Sequence, residues 1–268
     1  MEKIFLILKE QFSNIGIIYR ISKYEKKASY QGHYLGNAWE ILNPTIQILT
    51  FFVVFGLGLR GGDDVMGVSF IAWLMIGKSS WFMVNKSILG GSTSVQGKIS
   101  MVSKMKFPIS VLPAITVLRQ ISAFFVMLMI GIVSSYFSGI IPTIHWLQFF
   151  YYFTAQFIFL YYVGILTSTI TILARDFHFI LQAIMRMLMF ISGVMMVVHE
   201  IAPGRIGWML SLSPIFYLIN GFRDTFLYQR FFWERGLQTM FFWTFTLLIA
   251  LIGSHLHLKF RSRFMDFI

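Results

Sequence analysis

Apolar residues in this chain mostly come in long runs separated by short polar punctuation, but the first segment is periodic instead. Ile4, Leu8, Phe12, Ile15 and Tyr19 recur three or four apart, with Lys9, Glu10, Ser13 and Asn14 on another face. That spacing predicts an amphipathic helix, and the following Arg20, Lys23, Lys26 and Lys27 suit it to an anionic membrane surface. Residues 41–59 then carry no charge, and a run of about twenty such residues is long enough to cross a bilayer. After the glycine-punctuated turn Arg60-Gly61-Gly62-Asp63-Asp64, residues 65–85 return as a second span, interrupted by Lys78. Residues 120–174 again lack Lys, Arg, Asp and Glu. They are too long for one crossing, and Ser138-Gly139-Ile140-Ile141-Pro142 divides them into spans three and four. Arg175-Asp176 marks the next turn, and residues 177–198 make span five with Arg186 inside it. Residues 206–222 are apolar but broken by Gly207, Ser211, Ser213 and Pro214, which predicts two half-length helices that dip into the membrane and return. Residues 236–258 form the sixth span.

Between spans two and three lies a polar island, residues 92–107, closed by Pro108. Its lysines Lys98, Lys104 and Lys106 have no acidic neighbour in sequence, and its length suits a short helix. Pro108 sets where a new helix can begin, since proline is tolerated in a first turn. An ordinary cytoplasmic loop and a docking handle for an energy-supplying partner both fit. In the second reading Gln96, Lys98, Met101, Lys104, Met105 and Lys106 make the contact.

Composition narrows the class. Of 268 residues, 57% are hydrophobic and 12% charged, with a mean hydropathy of +0.71, far from the roughly 25% charged of soluble domains. The expected fold is an all-α membrane protein of one domain, 1–268, with six transmembrane helices. Residues 1–40 hold the N-terminal interface helix, 92–107 the short cytoplasmic coupling helix, and 199–235 the extracellular, re-entrant segment before span six. The formal charge of +11 raises the question of nucleic acid, but the basic residues sort by membrane side. Fourteen fall on the side of the termini and five on the other, which places both termini in the cytoplasm and removes nucleic acid as a partner. Zero cysteines exclude disulfides and thiolate metal sites.

Candidate chemistry is thin. Gly77-Lys78-Ser79 mimics the end of a phosphate-binding loop, but Ala72 stands where its first glycine belongs. Gly97-Lys98 fails likewise, with Ser92 and Ile99 at the flanking positions. No catalysis, metal or bound cofactor is expected in this chain, so energy must come from a partner. His199-Glu200 lacks the second histidine of a zinc helix, and His255 and His257 fall on different helix faces. Lys78 and Arg186 sit within predicted spans, where ionisable residues are costly enough to suggest function. Facing a channel, they would meet an anionic substrate; otherwise each snorkels or pairs with a nearby acceptor. Arg119 is expected to snorkel. Aromatics make up 18% of the chain and cluster at 149–153 and 157–162. They fit interfacial anchoring and helix packing, or stacking surfaces for sugars; Tyr217, in the re-entrant segment, is a candidate for the substrate path. A membrane-embedded sugar transferase would show an acidic or histidine cluster, and a secondary transporter an inverted repeat with intramembrane carboxylates. Neither signature is present in the sequence.

Several motifs in order carry a resemblance. Tyr34-Leu35-Gly36-Asn37-Ala38-Trp39-Glu40-Ile41-Leu42-Asn43-Pro44 opens span one. Val102-Ser103-Lys104-Met105-Lys106-Phe107-Pro108, Ala174-Arg175-Asp176-Phe177, Gln182-Ala183-Ile184-Met185-Arg186 and Ser213-Pro214-Ile215-Phe216-Tyr217 follow. Together these resemble the permease subunits of ABC exporters for polysaccharides and teichoic acids, and among them the wall teichoic acid translocation permeases. Tyr34, Gly36, Trp39, Asn43 and Pro44 carry the opening motif; at Ser213-Pro214 the wider family more often has Asn-Pro. The resemblance implies a half-transporter that pairs with a second copy of itself and with a separate ABC ATPase subunit, where ATP and Mg bind. It implies as cargo a lipid-linked anionic polymer on an undecaprenyl diphosphate carrier, in the first place wall teichoic acid and, as the alternative, another polysaccharide such as O-antigen or capsule. It also implies contact with membrane lipid, a multi-pass place in the plasma membrane, and a Gram-positive source.

Overall fold

The computed structural model describes residues 2–51, 53–54, 64–98, 108–198 and 204–264. Among them the chain is built of helices, joined by turns and one isolated Val65–Val68 bridge. In chain order the α-helices are α1 (Glu2–Ser13), α2 (Ile15–Tyr30), α3 (Trp39–Phe51), α4 (Phe70–Ser92) and α5 (Val111–Phe137). They continue as α6 (Phe149–Leu173), α7 (Phe177–Ile191), α8 (Arg205–Ser211), α9 (Pro214–Arg223) and α10 (Gly236–Phe260). Among the described residues, three helical stretches, Val111–Phe137, Ile144–Leu173 and Phe232–Phe260, are long and apolar enough to cross a membrane.

The centre is α4, in which 18 of 23 residues are buried. A helix buried on all sides needs no amphipathic stripe, and α4 accordingly packs against α5, α6, α7 and α9. Its backbone meets α6 closely at Gly91, where an added Cβ would stand 3.1 Å from the Gly164 Cα, a small-residue contact of the kind that lets membrane helices approach. Two of the buried hydroxyls of α4 are matched: Ser80 Oγ donates to Gln156 Oε1 at 3.0 Å, and Ser79 Oγ donates to the Ile76 carbonyl at 2.7 Å. The clustered rings also pack inward, Phe149 on Phe153, Phe125 and Phe222, and Phe124 on Phe153 and Phe222.

Several boundaries differ from the sequence expectation. The expected second span at residue 65 begins as a helix only at Phe70, because Met66 (φ 51°) and Gly67 (φ 78°) form a tight left-handed turn. It then runs on to Ser92. The expected fifth span, 177–198, is helical only to Ile191. Gly193 at φ 72° ends it, and 15 residues reach about 22 Å, short of the ~30 Å hydrocarbon core. The turn at 138–143 and α10 fall where punctuation placed them. In the 206–222 segment, α8 and α9 are two short helices separated at Leu212-Ser213, with Pro214 in the first turn of α9, where its missing N–H is harmless. The second half of the expected first span, residues 55–59, lies outside the described residues, as do His199 and Glu200.

The N-terminal segment is helical but broken at Asn14 into α1 and α2, and it packs on the body through residues beside the apolar stripe read from sequence. Ile7 and Ile18 are buried against the body, whereas Phe12, Ile15 and Tyr19 are exposed. Burying each isoleucine contributes about 1.5–3 kcal/mol. Two carboxylates on the same side complete the attachment. Glu10 accepts from Ser110 Oγ at 2.5 Å and from Arg261 Nη1 at 3.0 Å, while Glu25 pairs with Lys98 at 2.5 Å.

Candidate functional site

Four helices converge on a pocket of about 340 Å3 beneath α2. Lys26 comes from α2, Asn43 and Pro44 from α3, Asn85 and Lys86 from α4, and Arg119 and Gln120 from α5. Asn43 is exposed one helical turn before Gln47, whose amide donates to it at 3.1 Å. Lys86 lies over the Phe82 ring at 5.8 Å. The Arg119 side chain is 40% exposed, sits 3.7 Å from Glu25 in a loose pair, and lines the pocket. Three cations and three amides in a space of this size suit a multiply charged oxyanion, because guanidinium binds phosphate oxygens in pairs and lysine binds them as a point charge.

A second cavity of about 550 Å3 adjoins the first and shares Lys26, Arg119 and Ser122 with it. Tyr19, Leu118, Ile121 and Phe125 line this part. A basic chamber opening into an apolar groove between α2 and α5 is complementary to an amphiphile with an anionic head. On the other side of α4 a groove of about 220 Å3 holds Arg186 with Trp81 and Gln182, and Asn85 and Leu89 line both that groove and the basic pocket.

The structure therefore gathers some predicted site residues and separates others. Asn43 and Pro44 of the opening motif reach the pocket, while Tyr34 is fully exposed and Gly36 (φ 47°) starts the short turn that leads into α3 at Trp39. Arg186 is exposed and lines the neighbouring groove. Lys78 is buried at 4% exposure in the middle of α4. Tyr217 is fully buried: its hydroxyl meets Tyr151 at 2.9 Å and accepts from Thr239 Oγ1 at 3.0 Å, and its ring stacks on Phe242 at 4.8 Å. Those contacts make Tyr217 part of the core. Gln96 and Lys98 form a 3-10 turn just after α4, and Lys98 finds in Glu25 the acidic neighbour its own segment lacks. Met101, Lys104, Met105 and Lys106 lie outside the described residues.

Two features were missed from sequence. Glu10 and Glu25 look like ordinary charges of an amphipathic helix; their isolation in a basic segment was the available signal. Arg223, placed among the outer loops by sequence, is 1% exposed. Its guanidinium stacks 3.5 Å from the Trp73 ring and donates to the carbonyls of Trp73 (3.2 Å), Gly193 (2.6 Å) and Val194 (2.9 Å). Gly77 makes room for it, since any Cβ there would collide with the guanidinium. Next to it, buried Asp224 is paired with Arg235 through both carboxylate oxygens.

Among the described residues, a helical body with membrane-length helices and a basic pocket between them fits a membrane transport protein. The profile of the family described as ABC-2 type transporter matches residues 18–227, and the chain belongs to that family. It is similar to the O-antigen export system permease protein RfbA of Myxococcus xanthus, 24% identical over 225 residues that cover 84% of this chain and 85% of that one. It is also similar to a protein of the same name from Klebsiella pneumoniae, 23% identical over 248 residues and 92% of each chain. These relatives come from Gram-negative bacteria and lend no support to a Gram-positive source. They bear the name of O-antigen export where the sequence reading put teichoic acid first.

Proposed function

We propose that this chain is the permease subunit of an ATP-driven exporter that carries a lipid-linked polysaccharide of the O-antigen kind across the plasma membrane. It does so as a pair of identical permeases coupled to a separate ATPase that binds ATP and Mg. The observation that carries this is membership of the ABC-2 family together with near full-length similarity to relatives named for O-antigen export. That name takes precedence over teichoic acid, the first choice from motifs.

The pocket supports the same reading. The diphosphate of an undecaprenyl carrier fits between Lys26, Lys86 and Arg119, and the prenyl tail fits the apolar groove beside it. Arg186, reached past Asn85, is the next cation along the path. The polar island, with Gln96, Lys98, Met101, Lys104, Met105 and Lys106, is the ATPase contact, and both termini lie in the cytoplasm.

Purification of the tagged chain from its native membrane in mild detergent, with ATPase assay of what accompanies it, tests this. A stoichiometric nucleotide-binding subunit is expected, together with accumulation of lipid-linked polymer inside cells that lack the chain. Purification of the chain alone under conditions that preserve such complexes, with polymer export intact in the deletion strain, removes the exporter reading.

A further inference from the structure

We propose that Glu25 links the basic pocket to the polar island, so that anion binding in the pocket and engagement of the island with the N-terminal helix strengthen each other. This rests on the exporter reading for what fills the pocket and what moves the island. The observation is one carboxylate with two cations: Oε1 holds Lys98 Nζ at 2.5 Å and Oε2 stands 3.7 Å from Arg119 Nη1. Lys98 ends the described part of the island's first flank. Arg119 lines both the basic pocket and its apolar extension. The opposite flank is tied to the same helix pair, since Ser110 donates to Glu10 at 2.5 Å. Glu10 on α1 and Glu25 on α2 therefore hold the chain on the two sides of residues 99–107.

The physics of sharing gives the direction. A multiply charged anion in the pocket draws the Arg119 fork toward itself, and the whole charge of Glu25 then falls on Lys98. When the island is displaced and Lys98 withdraws, Glu25 is left with Arg119 alone, pulls it back, and takes a ligand from the anion. Because binding linkages are reciprocal, island movement loosens the head group by the same factor by which the head group fastens the island. For an exporter that sequence releases cargo when the ATPase acts.

The test uses the assembled permease–ATPase complex in phosphatidylcholine nanodiscs, with labelled undecaprenyl diphosphate as probe. Two readouts are taken, its dissociation constant and its effect on ATP hydrolysis. Glu25→Gln is expected to tighten binding by freeing Arg119, and Lys98→Gln to weaken it by giving Glu25 to Arg119. Each change should be about two- to fivefold, the range of a partly exposed ion pair. Both variants should lose the effect of the lipid on ATP hydrolysis. Adding Lys98→Gln to Glu25→Gln should change nothing further, because the lysine acts only through the carboxylate.

A merely structural role for Glu25 would weaken binding in both variants, and either that result or additive effects overturns the proposal. Should Glu25→Gln fail to assemble, Lys98→Arg decides, since it must retain wild-type affinity where Lys98→Gln does not; equal loss in both is against the link. Wild-type complex that binds the probe but shows no effect on ATP hydrolysis removes the link and leaves the pocket standing. Wild-type complex that binds it no better than phosphatidylglycerol removes the pocket reading, and the link with it.

Discussion

Arg223 shows what a single side chain does in this protein. Its donors reach carbonyls of α4 and of the turn after α7, and its own Cα lies at the end of α9, so one residue joins three segments distant in sequence. Lysine keeps the charge but offers one point of donation where the guanidinium offers a fork. Arg223→Lys is therefore expected to orphan at least one of the Gly193 and Val194 carbonyls, each orphaned acceptor costing roughly 1–3 kcal/mol. The measurement is the thermal unfolding midpoint of the purified protein in detergent; a midpoint equal to wild type would show that the cage contributes nothing. Nothing in the local sequence Gly221-Phe222-Arg223-Asp224 marks this residue as buried, because the acceptors that make burial tolerable come from elsewhere in the chain.

Among the elements, the N-terminal helix departs most from an ordinary membrane-surface helix. Its exposed Phe12, Ile15 and Tyr19 are free to face lipid, while Ile7, Ile18, Glu10 and Glu25 fasten it to α5, to α10 and its following turn, and to the island. Glu10→Gln should loosen α1 from Ser110 and Arg261 and raise amide hydrogen exchange across residues 2–13 about fivefold, the effect of about 1 kcal/mol. Exchange unchanged in that segment would mean that the isoleucines alone hold it. Periodicity predicted helix here but read as one element what the structure breaks at Asn14 into α1 and α2. It did not separate the part of the apolar arc that meets protein from the part that meets lipid, since both environments favour the same residues.

At the scale of the whole molecule, basic residues sorted by side imply that residues before α3 and the turn after α5 face opposite compartments. The cysteine-free chain makes that directly measurable. In spheroplasts, a single cysteine at Ser138 is expected to react with an impermeant maleimide, and one at Ser29 only after permeabilisation; the reverse pattern would invert the protein and move the basic pocket to the outer face.

Composition and periodicity were enough to establish a helical membrane protein, the helix division at Ser138-Gly139 and the break at Ser213-Pro214, because chain-breaking residues and apolar length act locally. The helix ends at Phe70 and Ile191 depended on left-handed turns at Met66-Gly67 and Gly193, which only Gly193 and Gly67 hint at in sequence. The pocket as an assembled site was not legible: Lys26, Asn43, Lys86 and Arg119 are spread over four helices, and of these only Asn43 stood out in sequence, as part of the opening motif. Only packing of those helices turns scattered charges into one basic chamber, because like charges are brought together by the burial of the apolar faces beside them, and that long-range contact leaves no periodic trace in the chain.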